Sequence, residues 1–157
     1  MAGLNPIHKF LGSGFLTGYL PGPTGTYGSV VALLIYLIPG VENIYILLPL
    51  ILVSSIYGIW VCGRFEQLYG KDPKEATIDE FVGMWITLVM VPKEPVFLIV
   101  AFLIWRFLDI VKPYPARNFE NFSGGLGVMA DDIMSGVYSL VIVHTGMALY
   151  KYWTGVV

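Results

Sequence analysis

From Ile44 to Gly63 the chain reads IYILLPLILVSSIYGIWVCG, a run without a single charged side chain. A helix of about twenty such residues rises about 30 Å, the thickness of a bilayer's hydrocarbon core. Pro49 can bend a helix of this kind without abolishing it. Four further apolar blocks flank the run: Ser29–Ile38, Phe81–Val91, Val96–Leu108 and Ile133–Tyr150. With 56% of the residues hydrophobic and only 13% charged, the balance is that of a membrane protein. The pattern predicts an all-α fold, a compact polytopic membrane helix bundle of four or five apolar helices. The 157 residues suit one domain, with 1–28 forming a Gly/Pro-rich loop or short surface helix and 29–157 the bundle. The opening segment has one lysine and a scatter of glycines and prolines where a signal peptide would have a continuous apolar core, so no signal peptide is expected.

Three blocks are short for a crossing. Helices three and four reach bilayer length only if they extend through their charged flanks, which would place Asp79, Glu80, Arg106 and Asp109 on helical turns near the interface. Whether Ser29–Ile38 crosses is left open by its length. If the helices alternate up and down, Lys9, Arg64, Lys71, Lys74, Arg106, Lys112 and Arg117 share one side, with Lys93 and Lys151 opposite. That asymmetry predicts a multi-pass protein whose polar motifs gather at the cytoplasmic face.

Several functions are disfavoured at once. A net charge of −2 advertises no surface for nucleic acid. Cys62 is the only cysteine, which rules out an intrachain disulfide or a multi-cysteine zinc site. His8 and His144 lie too far apart in sequence for a HExxH site, and neither neighbours the acidic residues. A covalent histidine mechanism is therefore disfavoured. Metal-activated water or direct carboxylate attack remains.

The acidic residues fall in three groups: Asp79-Glu80 opening the third apolar helix, Asp109 closing the fourth, and Asp131-Asp132 opening the fifth. Either pair alone would be an ordinary N-terminal cap. Asp109 is different, because a helix C-terminus disfavours an anion, although Arg106 one turn away can pair with it. Converging on one face between oily segments, these carboxylates suit a hard divalent ion, Mg²⁺ before Zn²⁺. Lys112-Pro113-Tyr114-Pro115-Ala116-Arg117 reads as a stiff extended loop whose cations suit a phosphate, or else as a positive-inside anchor. Two glycine-rich runs, Pro21–Ser29 (PGPTGTYGS) and Ser123–Gly127, permit close backbone approach to a ligand. Neither is followed by the GK[ST] of a phosphate-binding P-loop.

Four stretches, PGPTGTYGS, IDEFVGMWITL, RFLDIVKPYPAR and GGLGVMADDIMSGV, occur in this order from Pro21 to Val137. Together they resemble the motifs of the phosphatidylglycerophosphatase A family. The resemblance implies a Mg²⁺-dependent lipid phosphatase of the bacterial inner membrane that converts phosphatidylglycerophosphate to phosphatidylglycerol and phosphate. It implies Asp79, Glu80, Asp109, Asp131 and Asp132 as the catalytic and metal-binding acids. Arg106, Lys112, Arg117, Thr26 and Ser29 become the candidates for substrate contact. Which acid binds metal and which orients water is not settled by the likeness.

Other readings are weaker. CDP-alcohol phosphotransferases carry a DG-x2-AR pattern that is absent here, as is the PSGH-like motif of histidine-dependent lipid phosphatases. A small cation or proton transporter would distribute acids through the membrane depth, whereas these gather at one face.

Overall fold

In the computed structural model, which describes residues 4–119 and 122–155, the chain is helical, with no strand among the described residues. The helices are α1 (Pro6–Gly12), α2 (Thr24–Tyr36), α3 (Ile44–Tyr69), α4 (Ile78–Thr87), α5 (Pro95–Val111), α6 (Ala116–Phe119) and α7 (Gly125–Thr154). A 3-10 turn at Thr17–Tyr19 joins α1 to α2, so the opening segment is mostly short helical pieces. Local chemistry sets the boundaries. Asn5 and Asn43 accept hydrogen bonds from the Ile7 and Tyr45 amides and cap α1 and α3. Pro95 begins α5, where its missing N–H has no cost. Gly70 ends α3 at φ 97°.

Three boundaries differ from the sequence reading. The TGTYGS run is the first turns of α2, not a loop preceding it. Helix α3 continues past the uncharged run through Arg64–Tyr69 and ends only at Gly70. Helix α7 starts at Gly125, which places Asp131 and Asp132 about two turns inside it and not at its cap. The extended loop expected at Lys112–Arg117 is instead a left-handed turn at Lys112 leading into α6. The expected extension of the fourth block through Arg106 and Asp109 is present in α5.

Helix α4 is the hub, packed by α2, α3, α5 and α7. Eight of its ten residues are buried. At about 15 Å it is too short to span a bilayer. Polar side chains on neighbouring elements tie the hub in place. Trp85 Nε1 donates to the Ala32 carbonyl at 2.9 Å, and Trp105 Nε1 donates to Ser29 Oγ at 3.0 Å. His144 Nε2 lies 2.8 Å from the Val89 carbonyl, a helix-contact role. Small residues set the α4–α7 crossing. A Cβ on Gly136 would sit 2.7 Å from the Gly83 carbonyl oxygen and 3.1 Å from its Cα, so the two backbones nearly touch.

Outside this core the polarity is reversed from that of a soluble protein. Leu52, Val53 and Ile56 of α3 are each more than 60% exposed. Ile99, Leu103, Phe107 and Ile110 make a similar stripe along α5. Helices α3 and α7 are long and apolar enough to cross a membrane. Exposed apolar faces of this extent call for lipid. At the end of the bundle away from the acidic residues, Lys93 Nζ binds Glu42 at 2.6 Å and the Ile38 carbonyl at 2.9 Å. The hydrogen bond from Lys93 holds the Glu42 carboxyl below the usual range.

Candidate active site

The first turn of α4 carries Asp79 and Glu80, and the third turn of α7 carries Asp132. One oxygen from each of the three carboxylates lies within 4.8 Å of the others. Asp79 Oδ1 also accepts from the Glu80 amide at 3.0 Å, using the free N–H groups of the helix start. Burial raises both α4 carboxyls. Asp79 stands well above the usual range, pushed further by the Glu80 charge. Glu80 is pushed up to about 8 by burial together with Asp132 and Asp109, against the lowering effects of its hydrogen bond with Asp79 and of Arg106. Glu80 Oε2 is buried with no hydrogen-bond partner among the described residues. Three converging carboxylates with an orphaned oxygen fit the donor chemistry that a hard, oxygen-seeking cation requires.

Helix α2 supplies the wall opposite. A Cβ at Gly25 would collide with the Glu80 carboxylate and sit 3.3 Å from Arg106 Nη1. At Gly28 it would sit 3.1 Å from the Thr77 Cβ. The TGTYGS glycines therefore leave room for the acidic cluster. The run is helix and not the ligand-cradling loop expected: the Gly28 N–H is taken up within α2, while Gly25 lies in its first turn, whose N–H groups have no intrahelical partner. One turn on, Ser29 is buried and accepts from Trp105, with Arg106 Nη1 at 3.4 Å.

The structure sorts the remaining residues by partner. Arg106 Nη1 donates to Asp109 Oδ2 at 2.8 Å, the i,i+3 pair on α5. Lys112 Nζ binds Asp131 Oδ2 at 2.5 Å. Asp131 thus turns away from Asp132, as neighbours 100° apart on a helix do. Arg117 is exposed on α6 and Thr26 is half-buried on α2. No described contact brings either to the carboxylates.

The Arg106–Asp109 pair is largely buried, so removing one partner leaves a charge uncompensated. Arg106→Ala is expected to lower thermal stability more than the double change Arg106→Ala with Asp109→Asn. A two-by-two set of melting curves measures that coupling, expected at about 1–3 kcal/mol. Additive effects would mean that the pair is not coupled.

Fold and site together define a class: a helical protein with a lipid-compatible exterior that gathers buried carboxylates beside an arginine and a lysine. Comparison with known proteins then narrows the class. Residues 10–147 match the family described as Phosphatidylglycerophosphatase A. A protein of Bacteroides thetaiotaomicron with the provisional name phosphatidylinositol-3-phosphatase is 38% identical over 85% of this chain and 89% of its own length. Phosphatidylglycerophosphatase A of Haemophilus influenzae is 31% identical, covering 96% of this chain and 91% of the relative. Phosphatidylglycerophosphatase A of Escherichia coli is 35% identical, covering 89% and 83%. No solved structure matches the chain. The chain belongs to the phosphatidylglycerophosphatase A family and is a phosphatase. Its bacterial relatives and its two long apolar helices point to a bacterial membrane protein.

Proposed function

We propose that this protein hydrolyses phosphatidylglycerophosphate to phosphatidylglycerol and phosphate, using Mg²⁺, as a single membrane-embedded domain. It would cross the bacterial inner membrane several times with the site toward the cytoplasm, a reading supported by the seven of nine Lys and Arg residues that share one side if the helices alternate. The observation that carries this reading is the convergence of Asp79, Glu80 and Asp132 from two helices.

In the reaction, water oxygen forms a bond to phosphorus as the bond between phosphorus and the glycerol oxygen breaks. That oxygen takes up a proton and the lipid product leaves as an alcohol. Asp79, Glu80 and Asp132 would hold the metal, which when bound neutralises phosphate oxygens and lowers the pKa of a bound water. A carboxylate oxygen not engaged in binding accepts the proton of the attacking water. Arg106, oriented by Asp109 and lying beside Glu80, presents a planar donor face to the phosphate. Lys112 supplies a second positive charge at the rim, where Asp131 holds it. Ser29 keeps Arg106 and Trp105 in register, while at the periphery the Arg117 charge would draw the anionic headgroup inward and Thr26 would offer a hydroxyl donor.

Purified protein in detergent or lipid is expected to release phosphate from phosphatidylglycerophosphate with Mg²⁺ and to stop when EDTA is added. Phosphatidic acid, offered alongside, reports headgroup selectivity. Folded, metal-supplied protein that releases phosphate from neither lipid would exclude this reading and favour ion transport.

A further inference from the structure

Helices α3 and α4 leave a slot between them. The later turns of α3 cluster with the start of α4 and Leu47 with its end, so the two helices run antiparallel. Leu50, Val53 and Tyr57 line the slot from α3, and Trp85, Phe81 and Ile78 line it from α4. The span on either helix is a rise of about 10 Å, and the slot holds about 310 Å³. Asp79 and Glu80 lie about 100° and 200° round α4 from Ile78, facing α7 and α2, so the slot is distinct from the carboxylate cluster.

Among the described residues no charged side chain lines the slot. Its volume over its length leaves a section of about 30 Å², too narrow for a second helix about 10–12 Å across, but open to a single acyl chain. Above the Tyr57 end the surroundings turn aromatic and cationic. Helix α1 crosses α3 there, with His8 Nδ1 3.0 Å from the Tyr57 hydroxyl oxygen and Gly12 against Val61 and Phe65. His8 meets Trp60 edge-on, and Arg64 lies 5.8 Å over the Trp60 ring. Lys9 lies 4.4 Å over the Tyr19 ring. Neither cation has a carboxylate partner among the described residues. Glu66, two residues past Arg64, faces the opposite side of α3, toward Asp72 and Asp131. Phe15 and Leu16 complete the rim at φ 59° and 70°, a costly conformation for bulky residues, with both side chains exposed. An apolar slot below Trp and Tyr, with Arg and Lys at its head, is graded as a phospholipid is.

We infer that this slot binds one anionic phospholipid of the surrounding bilayer, an acyl chain between α3 and α4 and its phosphodiester at Arg64 and Lys9. The head's negative charge complements the two cations, whereas a zwitterionic head returns a positive charge to the same place. The lipid is bound here and not hydrolysed, so the site goes beyond the phosphatase reading and stands apart from it. Bound in this way it fastens α1 to α3 and α4, where the Thr77 amide already donates to the Gly12 carbonyl at 3.1 Å.

The test melts the purified chain in a maltoside detergent with dioleoyl phosphatidylglycerol, with dioleoyl phosphatidylcholine, or with the chain-free headgroup glycerophosphoglycerol. Phosphatidylglycerol is expected to raise the wild-type midpoint by about 3 °C or more beyond phosphatidylcholine, and the headgroup alone to leave it unchanged. Arg64→Gln combined with Lys9→Gln is expected to lose that excess and keep the smaller shift. Val53→Trp fills the slot from a position 64% exposed, which leaves room for the bulk, and is expected to reduce the shift from both lipids. Should it melt early without lipid, Ser54→Phe fills the slot from the neighbouring position. Equal shifts from the two lipids in wild type would overturn the inference. So would an excess that survives loss of both cations, which would place the anionic lipid elsewhere, the carboxylate cluster included. A full response in the slot-filled variant would overturn it too. So would a midpoint that rises with protein concentration in place of lipid, which would mark a second copy of the chain as the occupant.

Discussion

Asp132→Asn is expected to cut phosphate release by about a hundred- to a thousandfold while leaving the metal-free protein at least as heat-stable as its parent. The two halves of this result come from the same geometry. Asp132 is 96% buried and within 4.8 Å of Asp79 and Glu80, so in EDTA the three carboxyls cannot all ionise in this dry site without strong mutual repulsion. Neutralising one of three relieves that repulsion. With Mg²⁺ present the order is expected to reverse, because on the proposed metal role the parent would gain stability from the bound ion and the variant would lack one of its ligands. Melting curves with and without Mg²⁺, beside phosphate-release assays, check both signs. A variant that melts early in EDTA would show that Asp132 serves folding. A variant that keeps its activity would remove it from the site.

The second large effect concerns a residue that touches nothing chemical. Gly136→Val is expected to lower the melting midpoint by about 5 °C or more and to reduce activity by at least tenfold. The valine Cβ would meet the Gly83 carbonyl and Cα, backbone atoms that cannot rotate aside. Helices α4 and α7 must then separate, and the carboxylate cluster is divided between them. Gly136→Ala is expected to show a smaller loss of the same kind. If Gly136→Val melted normally but lost activity, the crossing would be adjustable and the carboxylate spacing would be the sensitive quantity. Restored activity at raised Mg²⁺ concentration would support that outcome.

Much of this architecture was visible in the residues. The uncharged run Ile44–Gly63 is long enough to announce α3, and Arg106 and Asp109, three apart, pair as helical neighbours should. What misled was glycine. Gly25, Gly28, Gly125 and Gly127 look like loop residues because glycine costs about 1 kcal/mol in a helix. Here close approach outweighs propensity: a Cβ on Gly125 would strike the Ile59 carbonyl of α3, and one on Gly25 the Glu80 side chain. Such reasons are tertiary and leave no periodic trace. The same limit applied to Asp131 and Asp132. As a pair they were legible as important, but which faces the metal-type cluster and which faces Lys112 depends on the rotation of α7. Arg117 and Thr26 follow suit, since nothing in their local sequence says where α6 or the outer side of α2 points.

The division of the carboxylate set between α4 and α7 also has a bearing on biogenesis. Asp79 and Glu80 leave the ribosome some fifty residues before Asp132 does. Until α7 joins, the nascent bundle holds half a site: acids placed against oil, a glycine-lined hollow, and an arginine already paired. On the proposed reading, activity would be deferred until the last described helix docks. Because an ion clasped by both helices would fasten the late segment to the early one, its capture and the completion of the membrane fold become a single event.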